Sequence, residues 1–173
     1  MSRPRLAAAL VLLGAGWACS PTFNWREIQA APTPLKALLP CKPDQGMRTV
    51  PMAGRQVDLH VLGCDTGGAT FAILYADIGE PARAGQALLQ WRIATLANLR
   101  GTAARDTAFV PPGGLAIPQS VQVVASGQRA DGSKVQSHAA YFAHGTRVFQ
   151  AVVYADELKP EQTDSFFPGL RFE

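Results

Sequence analysis

The stretch Gly79-Glu80-Pro81-Ala82-Arg83-Ala84-Gly85-Gln86-Ala87-Leu88-Leu89-Gln90-Trp91-Arg92-Ile93-Ala94-Thr95-Leu96-Ala97-Asn98-Leu99-Arg100-Gly101 decides the fold class of this chain. Before it, Val57, Leu59 and Val61 alternate with Asp58 and His60, the period-two mark of a half-buried strand. Within it the period changes. Leu89, Ile93 and Leu96 stand at i, i+4 and i+7, and Leu88, Trp91 and Leu99 widen that apolar stripe. Pro81 suits a first helical position, and Gly101 suits a stop. The spacing predicts one long helix over 82–99 set between groups of strands.

Working toward the N-terminus, Ala69–Ala76 reads as a strand with Phe71, Ile73 and Tyr75 on one face. Asp65-Thr66-Gly67-Gly68 is a hairpin turn, and Gln56–Leu62 is the strand before it. Met47–Met52 is strand-like but holds Pro51, which suits an edge strand or an irregular one. Asp44-Gln45-Gly46 reads as a turn, and Leu35–Leu39 as a strand ending at the Pro40-Cys41-Lys42-Pro43 corner. Phe23–Ile28 is a further strand candidate.

Working toward the C-terminus, residues 102–118 show no decisive period and contain the loop signal Pro111-Pro112-Gly113-Gly114. Val121–Ser126, Val135–Ala143 and Arg147–Tyr154 read as strands joined by turns at Ala130–Ser133 and His144-Gly145. Pro160–Phe167 reads as a short helix. Strands that arrive in hairpins build an antiparallel sheet, so the expectation is an α+β domain: a mostly antiparallel sheet flanked by helices.

The N-terminus carries an address. Arg3 and Arg5 precede an uncharged apolar run of twelve residues, Leu6–Trp17, and then Ala18-Cys19-Ser20. That is the layout of an export signal, and it is shorter than the roughly 20 residues a spanning helix needs. Gly16 and Ala18 suit signal peptidase I cutting before Cys19. Gly16-Trp17-Ala18-Cys19 also resembles a lipobox, with Cys19 as the acylated residue and Ser20 after it resembling an outer-membrane sorting signal. The organisation expected is a signal peptide at 1–18, a tether at 19–34 and a single domain at 35–173. The expected location is the periplasm, with lipid at Cys19 as anchor. A soluble periplasmic product and a retained anchor are the alternatives.

The formal charge of +3 owes two of its cations to the leader; without Arg3 and Arg5, fourteen Lys+Arg face thirteen Asp+Glu. Arg48, Arg55, Arg83, Arg92, Arg100 and Arg105 are scattered, so the basic stripe of a nucleic-acid binder is not in the sequence. About 150 residues suit one core. With Cys19 lipidated, Cys41 and Cys64 remain. An even remainder in an oxidising compartment, at the ends of neighbouring strands, predicts a Cys41–Cys64 disulfide. Two buried thiols and a cysteine nucleophile are the alternatives.

Constellations that carry chemistry are sparse. His138 and His144 flank the turn at Gly145 with only Asp131 or Asp156 nearby, fewer donors than zinc wants. Glu27, Asp58, Asp77, Glu80 and Asp106 are dispersed, which argues against a paired-carboxylate mechanism. The sequence holds no Gly-x-Ser-x-Gly elbow and no Walker or dinucleotide pattern, so no cofactor is expected. Trp91 belongs with the helix stripe, and Trp25 near the tether is a candidate partner contact.

Several of these residues form a recurring layout. Leu39-Pro40-Cys41-Lys42-Pro43 matches an LP-x-x-P strand end, and Phe71 an aromatic strand before the long helix. Asp131-Gly132 supplies a hairpin, Tyr141-Phe142 and Val148-Phe149 aromatic strands after it, and Phe166–Phe172 an FF-x-x-x-R-F ending. Over about residues 25–173 the chain resembles exported bacterial members of the PsbP/Mog-like fold family. The resemblance implies an α/β/α sandwich around an antiparallel sheet, a docking or accessory role, and no shared catalytic residues. The functional expectation is a non-enzymatic envelope protein that docks another envelope component. Two alternatives are a soluble periplasmic protein binding a small apolar ligand between sheet and helix, and an enzyme with a dispersed site and a lid at 102–118.

Overall fold

Residues 21–173 are described by a computed structural model. The leader, its cleavage point and Cys19 lie outside the described residues. Two sheets result, and every strand pairing in them is antiparallel. In chain order the elements are β1 (Arg26–Gln29), β2 (Leu35–Leu39), β3 (Asp44–Met52), β4 (Arg55–Thr66), β5 (Ala69–Asp77), a 3-10 turn (Pro81–Arg83), α1 (Ala84–Asn98), β6 (Thr102–Ala108), β7 (Val121–Gln128), β8 (Lys134–His144), β9 (Arg147–Ala155), α2 (Pro160–Thr163) and β10 (Arg171–Phe172).

The large sheet has the order β3-β4-β5-β9-β8-β7-β6. Two meanders, β3-β4-β5 and β6-β7-β8-β9, meet where β5 pairs with β9. Gly67 and Gly68 (φ +58° and +73°) turn the β4–β5 hairpin, a backbone region that glycine reaches without a Cβ penalty. Pro51 lies on β3, an edge strand, where its missing N–H breaks no inner ladder. Asp44-Gln45-Gly46, read as a turn, instead opens β3: Asp44 pairs with Gly63, and the pairing with β4 overrides the local turn preference. Residues 102–108 form the opposite edge strand, exposed along its whole length, which is why it shows no alternation.

The sheet buries both faces. On one, Phe71, Ile73, Tyr75, Phe142 and Phe149 pack against the small sheet β1-β2-β10 and against Phe166, Phe167 and Leu170. On the other, Val57, Leu59, Ala76, Tyr141, Val148 and Val152 pack under α1. The result is α+β but mainly β, and the face away from α1 is covered by a second sheet with one helical turn. The short helix expected over 160–167 is confined to Pro160–Thr163. Gln162, 1% exposed, holds it: its Oε1 accepts from the Lys159 N–H (2.9 Å) and its Nε2 donates to the Gly67 carbonyl (3.2 Å). Cys41 and Cys64 form the expected disulfide, Cα–Cα 6.0 Å, which joins the end of β2 to β4 and so ties the two sheets together.

The helix falls close to its expected span, but its buried face differs. Ala84, Ala87, Leu88 and Trp91 face the sheet, whereas Leu89 is 47% and Ile93 58% exposed. Apolar residues lie around most of α1, so periodicity did not fix its rotation. The small side chains at 84 and 87 let the axis approach the sheet. The C-terminal end is fixed by a close approach: a Cβ at Gly127 would lie 2.3 Å from the Leu99 carbonyl oxygen, which accepts from the Gln128 N–H (2.7 Å). The left-handed residue at the helix end is Arg100 (φ +47°), not Gly101.

Candidate functional site: a groove between helix and sheet

α1 packs on β8 and β9 and reaches the Met52 end of β3, and beside it part of that face stays open. A groove of about 510 Å³ opens there, within the usual range for small-molecule sites. Strand register decides which side chains reach it. Arg48 pairs with Leu59 and Val50 with Val57, so the even positions of β3 share a face with the odd positions of β4. Leu74 pairs with Gln150, and Thr70 with Tyr154, which puts Leu74, Gln150 and Tyr154 on that same face. The floor is therefore Leu59, Leu74 and Val50. The α1 side supplies Gln90, Trp91, Ala94, Thr95 and Asn98.

One polar group is built into this wall. Gln150 is 3% exposed in a strand otherwise rich in apolar residues. Its Nε2 donates to Thr95 Oγ1 (3.2 Å) and to Tyr141 Oη (3.0 Å), and Thr95 Oγ1 donates in turn to the Trp91 carbonyl (3.0 Å). This chain pins α1 to β8 and β9 at the groove. A buried amide is tolerated because it is bonded. Burial, reinforced by the neighbouring Tyr141, pushes the Tyr154 phenol up to about 12, and burial also raises Tyr141. Both are therefore neutral donors at physiological pH.

The histidines considered for a metal are separated. His138 and His144 lie six positions apart on β8, roughly 20 Å at strand rise. His138 packs on Phe167 (4.1 Å between centroids) and bonds Gln122 Oε1 (3.2 Å). His144 bonds the Gly113 carbonyl (2.9 Å) and stacks on Phe172. His60 stacks on Tyr75. Among the described residues no group of three or more His, Cys, Asp or Glu side chains is placed to hold a metal. No helix among them is long and apolar enough to cross a membrane.

The scattered carboxylates are engaged locally. Glu27 meets Lys36 and Arg171, Asp77 meets Arg147, Glu80 meets Arg83, and Asp106 meets Arg92. The segment considered as a lid is tied down: Leu115 N–H bonds the Ala143 carbonyl (2.7 Å), and the Pro112 carbonyl accepts from Phe172 N–H (2.9 Å). Trp25 sets its ring edge-on against Phe71, 5.8 Å away. Trp91, assigned to the core, both packs there and lines the groove. A site between sheet and helix was among the sequence expectations, but its lining escaped sequence reasoning, because those residues come from β3, β4, β5, α1 and β9. The available signal was Gln150, a lone amide inside Val148-Phe149-Gln150-Ala151-Val152-Val153.

No family model matches the chain, and no curated protein matches it. Among solved structures it is similar to PA94 from Pseudomonas aeruginosa, a protein of unknown function. The identity is 11%, the match covers 81% of this chain and 86% of that one, and the TM-score is 0.38, too slight a likeness to carry an argument.

Proposed function

We propose that this protein is a non-enzymatic, exported envelope protein whose domain holds a small, largely apolar ligand in the groove beside α1. The observation that carries the reading is the groove itself: an apolar floor with one buried amide in its wall, its Nε2 held by Thr95 and Tyr141. That combination is typical of ligand sites, which pair apolar area with a few fixed polar groups. The export signal at 1–18, lipid at Cys19 and an outer-membrane location remain part of the proposal on sequence grounds. So does membership of the PsbP/Mog-like sandwich fold.

Native mass spectrometry of the purified chain, with titration by N-phenyl-1-naphthylamine, tests the groove. The expected result is a co-purified small mass or dye binding that Leu74→Trp abolishes. An apoprotein mass with no dye binding would overturn the reading. Palmitate labelling of wild type against Cys19→Ala tests the tether, and equal label in both removes it.

The second reading is a docking or accessory module. Its specific support is the exposed Leu89 and Ile93 pair on α1, on a surface turned away from the sheet.

A further inference from the structure

The groove has a charge asymmetry. Arg48 stands on its rim, on the edge strand β3, and is exposed. It makes no ion pair among the described residues, although most acidic side chains near other arginines do. No Asp or Glu lines the groove. Asp58, the nearest carboxylate in the β3–β4 ladder, pairs across with Thr49 and accepts its hydroxyl (2.9 Å), on the opposite face of the sheet from Arg48. Behind Arg48 the floor is apolar, through Val50, Leu59 and Leu74, with Trp91 above. The deeper polar groups are neutral: the Gln150 amide and the Tyr154 phenol.

We propose that the groove takes an amphipathic monocarboxylate, its alkyl body along Leu59 and Leu74 and its carboxylate on the Arg48 guanidinium at the rim. The inference rests on the ligand-binding reading above and adds the head group. A guanidinium offers a carboxylate two parallel N–H donors, which a hydroxyl cannot use. An unpaired cation beside an apolar floor without carboxylates favours an anion and disfavours a cation by the same Coulomb interaction. The rim position keeps the charge in partial contact with water, so the head group is not stripped of all its solvent.

Three probes of equal chain length separate the possibilities: decanoate, decanol and decyltrimethylammonium, each titrated below its aggregation limit against the full purified chain. Binding is read by calorimetry and by quenching of Trp91 in a Trp17→Phe, Trp25→Phe background. Decanoate is expected to bind about tenfold more tightly than decanol, and the cation most weakly. Arg48→Gln is expected to bring decanoate to the level of decanol and to leave decanol unchanged. Raised salt is expected to narrow the difference in wild type only. Arg48 is exposed on an edge strand, so the variant is expected to fold, and circular dichroism checks that. Equal binding of all three probes, or a decanoate preference that survives Arg48→Gln, overturns the head-group assignment and leaves the groove reading standing. Binding of none of them overturns both.

Discussion

The two faces of the large sheet are finished differently. One is sealed by aromatic rings: Phe142 stacks on Phe149 at 5.4 Å, Phe172 sets its edge against both, Phe166 packs edge-on against Phe71, and the Cys41–Cys64 bond fastens the covering sheet. The other is roofed by a single helix that meets it through two alanines, one leucine and one tryptophan, and that leaves a groove open between itself and β3. The sealed face has the large buried rings that dominate core energetics. The roofed face has less to lose and has the space a ligand needs. On the proposed reading, stability falls to one side and recognition to the other.

The strongest way to break that assignment is a pair of truncations. Phe142→Ala on the sealed face is expected to cost about 3–5 kcal/mol, and Leu88→Ala under the helix about 2–3 kcal/mol, both read by denaturant unfolding. A larger loss from Leu88→Ala would reverse the comparison. Next comes the fastening. Replacing Cys41 and Cys64 together by Ser, across a sequence separation of 23 residues, is expected to cost about 3 kcal/mol. The melting temperature should fall while the dye still binds the groove. Loss of dye binding in a folded double variant would show that the two faces are coupled.

A smaller effect follows from pH. Burial, with Arg105 nearby, pushes His138 down to about 4 from 6.5. It faces Phe167 and Gln122 on the sealed side. Above pH 6.5 the ring is neutral in both folded and unfolded chains. As pH falls from 6.5 toward 4, the unfolded ring takes a proton that the folded one refuses, so stability is lost across that window. His138→Gln is expected to flatten this loss, measured as unfolding free energy at pH 7 and at pH 4.5. An equal fall in both proteins would assign it to other groups. The smallest effect is expected at the exposed pair. Leu89→Gln with Ile93→Gln should change stability by no more than about 0.5 kcal/mol, and sedimentation should show whether self-association drops.

Much of the architecture was legible because hairpins announce themselves locally. Gly67-Gly68, Asp131-Gly132 and His144-Gly145 each turn the chain where their composition says they should. The bounds of α1 were legible from Pro81 and the change of period. Its rotation was not, since Leu89 and Ile93 are as apolar as Leu88 and Trp91, and only tertiary contact selects between the faces. The second sheet was harder still. Its β10 has two residues, Arg171 and Phe172, and exists only by pairing with Lys36 and Leu35 far away in sequence. The lining of the groove was illegible for the same reason. Arg48, Leu74 and Gln150 share no motif, and register alone brings them together.

The seam between β5 and β9 has a kinetic consequence. Even its closest pair, Asp77 with Arg147, is seventy residues apart, whereas every other neighbouring pair of strands in the large sheet follows directly along the chain. Each meander can zip from its own turns, but joining them must wait for a long closure whose entropic cost comes before its reward. Refolding of this protein is therefore expected to be governed by that encounter, with the two half-sheets assembling early and the aromatic layer locking only once they meet.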